Sequence, residues 1–112
     1  MSVRLGVIRQ GTPYEVEVTA HAGNQGATFV FVGWQPAPGV KPEAHPMRLS
    51  PGQTGRHALT CPPDALYYLI EVRVDVPEPG GADMKFSGLA GSKPVSSITV
   101  SADETYWVEI IP

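Results

Sequence analysis

Tyr67-Tyr68-Leu69-Ile70-Glu71-Val72-Arg73-Val74-Asp75-Val76 is the stretch whose reading decides the fold. Side chains alternate sides along an extended strand, so Tyr68, Ile70, Val72, Val74 and Val76 share one apolar face. Tyr67, Leu69, Glu71, Arg73 and Asp75 share the other, which grows more polar along its length. A strand patterned this way needs neighbours on both edges and a second apolar layer over its dry face.

The rest of the chain supplies those neighbours. Val3 to Gln10 reads as a first strand, with Val3, Leu5 and Val7 opposed to Arg4, Gly6 and Ile8. Tyr14 to Ala22 alternates Tyr14, Val16, Val18, Ala20 and Ala22 with Glu15, Glu17, Thr19 and His21, a clean period of two. Gly23-Asn24-Gln25-Gly26 reads as a hairpin loop leading to Ala27–Trp34, a strand apolar on both faces. Phe29 and Phe31 lie on one of these, Val30, Val32 and Trp34 on the other.

Residues 35–46 hold four prolines, which predicts an irregular, partly polyproline-like crossing between sheets, followed by a brief edge pairing at Met47–Leu49. Ser50-Pro51-Gly52-Gln53 places Pro and Gly where a type II turn requires them. Arg56 to Cys61 forms a further strand with His57, Leu59 and Cys61 on one side. In the long segment 77–94, Met84-Lys85-Phe86 is expected as a short strand with Leu89 folded inward. Val95–Val100 and Tyr106–Ile111 then close the chain as an expected hairpin around Ser101–Thr105. Ser50-x-x-Gln53 and Ser101-x-x-Glu104 match the helix capping box, but no helical period follows either.

These segments predict one all-β domain over 1–112: a two-sheet antiparallel sandwich of about eight strands, with immunoglobulin-like or jelly-roll connectivity. The 112 residues suffice for a single core, and the twelve Gly and twelve Pro fall mostly between apolar stretches, as many short strands require.

Composition excludes several functions. Net charge is −3. Residues 1–60 carry five Lys or Arg and three Asp or Glu, residues 61–112 three and eight. With no basic cluster anywhere, nucleic acid is not an expected partner. No apolar run is long enough to span a bilayer as a helix. The single cysteine, Cys61, allows no intrachain disulfide and reads as a core residue. The first residues lack a signal-peptide pattern, so the expected location is cytoplasmic, with secretion after removal of a leader as the alternative.

No catalytic, metal-binding or cofactor constellation is expected. His21, His45 and His57 sit on two strands and a loop with no metal-ligand spacing, and no nucleophile motif occurs. Asp75, Glu78 and Asp83 are the oxygens that a loop calcium site would use, without an EF-hand pattern. The informative residues are aromatic. Trp34, Tyr67, Trp107 and Ile111 form the candidate binding set, because Trp107, Tyr67 and Ile111 share parity with charged side chains and Trp34 closes its strand before the prolines.

The expected function is a non-catalytic binding or structural module, working through protein–protein interaction or assembly on apolar outer faces. Its partner is a second copy or another protein; a sugar-binding, lectin-like module is the alternative, and a small hydrolase-like enzyme a more distant one.

Overall fold

The computed structural model describes residues 2–35, 43–60, 69–77, 79–89, 98–100 and 105–112. Within these, nine strands form two sheets: β1 (Ser2–Arg9), β2 (Pro13–Ala20), β3 (Thr28–Gln35), β4 (Glu43–Leu49), β5 (Thr54–Thr60), β6 (Leu69–Asp75), β7 (Ala82–Ser87), β8 (Ile98–Val100) and β9 (Thr105–Ile111). The five-stranded sheet has the order β1-β9-β6-β3-β4 and the four-stranded sheet β5-β2-β7-β8. This is the expected two-sheet sandwich, consistent with an immunoglobulin-like or jelly-roll type of architecture.

β6 takes the middle of the larger sheet, flanked by β9 and β3 as its pattern demands. Ile70, Val72 and Val74 are fully buried, and Val30, Val32 and Val108 beside them are equally so. Val16, Val18, Met84 and Phe86 supply the opposing layer from β2 and β7. Each such side chain contributes roughly 1.5–3 kcal/mol by leaving water. Leu89 folds inward behind β7, as expected.

Several connections differ from the sequence reading. The larger sheet is mixed, because β1 pairs with β9 in parallel. The long ladder of β1 covers the edge of β9 that β6 leaves open. A bulge between Arg4 and Gly6 moves the buried parity from Val3 and Leu5 to Ile8. Gly6 sits there at φ 152°, a backbone position that favours glycine.

The Gly23–Gly26 loop is not a hairpin; it carries the chain from β2 in the smaller sheet to β3 in the larger. Likewise β8 and β9 are no hairpin, because β8 pairs with β7 while both edges of β9 belong to β6 and β1. The prolines do not mark a crossing between sheets. Residues 43–49 already form β4, an edge strand antiparallel to β3, with Pro46 opposite Phe31. An edge tolerates proline because one side of the strand needs no donor.

The crossing lies at Ser50–Gln53 instead. There the Gln53 N–H donates to the Ser50 carbonyl at 2.9 Å, and Gly52 has φ 81°, as a type II turn requires. The Gln53 Oε1 also accepts from the Ser50 N–H at 2.9 Å, so the capping-box pair closes a turn rather than a helix.

Three crossings meet at one end of the sandwich. Ala20 donates to the Gln53 carbonyl and accepts from the Gly52 N–H, both at 3.0 Å. Asn24, 6% exposed, holds the β6–β7 connection: its Oδ1 accepts from the Gly81 N–H at 2.9 Å and its Nδ2 donates to the Gly81 carbonyl at 2.9 Å. The same Nδ2 donates to Thr28 Oγ1 at 3.2 Å. A side chain at Gly80 would collide with the Pro77 carbonyl and with Asn24, so glycine is required there. At the opposite end, buried Trp34 donates through Nε1 to the Tyr14 hydroxyl at 2.9 Å, joining β3 to β2 across the layers.

Asn24→Ala should lower stability by about 2 kcal/mol, because the buried Gly81 N–H loses its acceptor. Urea unfolding should show a lower midpoint with an unchanged slope. An unchanged midpoint would remove Asn24 from this role.

Candidate functional surface

The outer faces of the two sheets have different chemistry. On the smaller sheet, β2 presents Glu15, Glu17 and Thr19, with Ala58, Arg56 and Thr54 alongside on β5. Ser87, Lys85 and Asp83 flank the same three residues on β7. Arg56 Nε donates to Glu17 Oε2 at 2.9 Å and lies 3.8 Å from Glu15. The hydrogen bond to Glu17, then the charges of Glu17 and Glu15, hold the guanidinium above its ordinary pKa. Thr19 and Thr54 share a hydroxyl–hydroxyl bond of 2.9 Å, and His21 Nε2 lies 3.3 Å from Asp83. This is a polar face on which Glu15 and Glu17 share Arg56 and Asp83 meets His21.

One shallow depression of about 250 Å³ opens on this side, lined by Pro13, Tyr14, Glu15, Ala58, Ser87 and Gly88. Behind it Tyr14 stacks on Phe86 with centroids 5.7 Å apart, and His57 packs 5.2 Å from Trp34. His57 therefore belongs to an aromatic layer. His21 stands on the other sheet end beside Asp83, and the His45 side chain lies outside the described part. Among the described residues, no three His, Cys, Asp or Glu are grouped so as to hold a metal ion. Asp75 is paired with Arg73 at 3.4 Å and Asp83 with His21, while Glu78 is outside the described residues.

The outer face of the larger sheet sets aromatic side chains on β9 and β3 to either side of the charged central strand β6. Register sets the rows: Arg4, Trp107, Glu71 and Gly33 lie side by side, and Thr105, Arg73, Phe31 and Pro46 form the next row. Phe29, between Asp75 and Arg48, is 41% exposed, the one large apolar residue that open among those described. Arg73 lies over the Phe31 ring at 4.3 Å and Arg4 over Trp107 at 5.6 Å. Arg4 also pairs with Glu109 at 3.2 Å. A guanidinium over a ring face is attracted by the negative π surface and shields part of it from water.

Of the four sequence candidates, Trp107 and Ile111 lie half-buried on this face. Trp34 lies inside the sandwich, 7% exposed, and Tyr67 is outside the described residues. Phe29 and Phe31 join Trp107 in their place. Their sequence signal was present, since a strand apolar on both faces must turn one outward. Which one remained open until pairing with β6 set Phe31 beside Arg73.

Comparison of the chain with protein-family models, with curated proteins and with solved structures gave no match. No helix among the described residues is long and apolar enough to cross a membrane.

The two tryptophans should separate in solution. In dilute protein, acrylamide should quench one component of the emission and leave a second, blue-shifted one protected. Trp107→Phe should abolish the quenched component; loss of the protected one instead would reverse the two placements.

Proposed function

We propose that this chain is a non-catalytic interaction module that binds a protein partner through the outer face of its five-stranded sheet. The contrast between the two outer faces carries this reading. Both faces pair charges internally, but only this one sets Phe29, Phe31 and Trp107 among Arg4, Arg48, Arg73, Glu71 and Glu109. Aromatic side chains interleaved with arginine are what protein interfaces are enriched in.

A sugar platform is the second reading, favoured by Trp107 standing next to Glu71. Stacking a sugar needs a bare ring face, and arginines already lie over Trp107 and Phe31. The protein reading is therefore preferred.

A photo-reactive amino acid introduced at Phe29, with Lys85 as the control position on the opposite sheet, tests the choice in cells that make the protein. Discrete protein adducts from position 29 and none from 85 are expected. Equal labelling from both positions, or no adduct from 29 together with a positive glycan array, would overturn the reading.

A further inference from the structure

We infer that the partner on this face is a second copy of the chain, seated face to face about a two-fold axis; this rests on the reading of the face as a protein-binding surface. The register makes the face complementary to itself. Two adjacent rows cross its centre, one carrying Glu71 and Gly33, the next Arg73 and Phe31. A two-fold axis running across the strands, midway between the rows, exchanges one row for the other. Glu71 of each copy then stands opposite Arg73 of the other, and each Phe31 opposite the other's Gly33.

The first of these exchanges is favourable. Glu71 is half-buried and belongs to no ion pair among the described residues, while Arg73, exposed on the same face, already meets Asp75 at 3.4 Å and lies over the Phe31 ring, with further guanidinium donors left for a second carboxylate. Two reciprocal carboxylate–guanidinium contacts fix the register of an isologous interface. These four residues lie close to the axis, so the roughly 30° angle usual between packed sheets displaces them little. Any other axis direction sacrifices this pairing. An axis along the strands, for instance, reverses strand order and sets Arg4 on β1 against the β4 edge.

The area is adequate. Five strands about 4.8 Å apart, each about seven residues of 3.3 Å, present roughly 550 Å² per copy. Roughly 1,100 Å² in total clears the approximately 1,000 Å² that a specific interface needs. The contact belongs near that lower limit, which predicts a dimer that dissociates on dilution.

Sedimentation equilibrium from low to high micromolar concentration, with charge exchanges at the central pair, tests this directly. The parent chain should pass from 12.0 kDa to twice that mass. Glu71→Arg and Arg73→Glu should each weaken the dimer at least about tenfold, since each brings like charges together twice. Mixing the two variants should restore a heterodimer, and the double exchange Glu71→Arg with Arg73→Glu should restore the homodimer. If a single exchange fails to fold by circular dichroism, Phe31→Ser provides the same test and should also weaken association. A single 12.0 kDa species throughout, or a dimer indifferent to these changes, overturns the proposal. Protein adducts from position 29 in a chain that stays monomeric would overturn the second copy alone and leave the face intact.

Discussion

The five residues from Ala20 to Asn24 are the constraint on which the rest of the structure depends. A sandwich must pass its chain between layers, and every passage risks backbone groups left without partners in a dry place. Here three passages converge on one point. Ala20 bonds the β4–β5 turn through both its N–H and its carbonyl, and the Asn24 amide bonds both polar groups of Gly81. The Gly81 carbonyl also accepts from the His21 N–H at 3.0 Å. A carboxamide is the side chain that offers donor and acceptor together, which a backbone amide opposite it requires. With that end fastened and Trp34 bonded to Tyr14 at the other, the two apolar inner faces are held in one alignment.

That alignment has a consequence outside the core. Once Val72, Val32 and Val108 point inward, the pleat forces Glu71, Arg73, Phe31 and Trp107 outward in a fixed pattern. A slip of β3 by one residue would bury Phe29 and Phe31 and expose Val30 and Val32. The placement of Phe29 and Phe31 on the outer face, beside Arg73 and Asp75, is therefore a product of how β3 registers on β6. The opposite face obeys the same geometry with different content. Glu17 meets Arg56 across β2 and β5, on a surface whose described side chains there are polar or small. The molecule has one polar outer face and one on which aromatic side chains stand among charges.

Most of the architecture could be read from residues alone. Alternation in 67–76 placed Ile70, Val72 and Val74 in the core, and Pro51-Gly52 specified a turn that the structure contains. Met84, Phe86 and Leu89 were found in an otherwise unpromising segment. What alternation does not carry is which strand lies beside which. The Gly23–Gly26 loop has the residues of a hairpin, yet it spans the layers because β2 pairs with β5 and β7, not β3. β8 and β9 part for the same reason. Trp34 is ambiguous in sequence because it ends its strand; its even parity with Val30 and Val32 is the better guide to its burial. Trp107 was legible through Glu109, whose charge marks the wet side of β9. Phe31 was not, because its meaning depends on facing Arg73 from another strand.

Hydroxyl-radical footprinting across a concentration series, read residue by residue by mass spectrometry, tests the central claim that the outer face of the five-stranded sheet is the working surface. Phe29, Phe31 and Trp107 should become protected together as concentration rises, while His21 on the opposite sheet keeps a constant rate of oxidation. Rates at Phe29, Phe31 and Trp107 that stay constant with concentration, or protection that appears at His21 instead, would contradict the account.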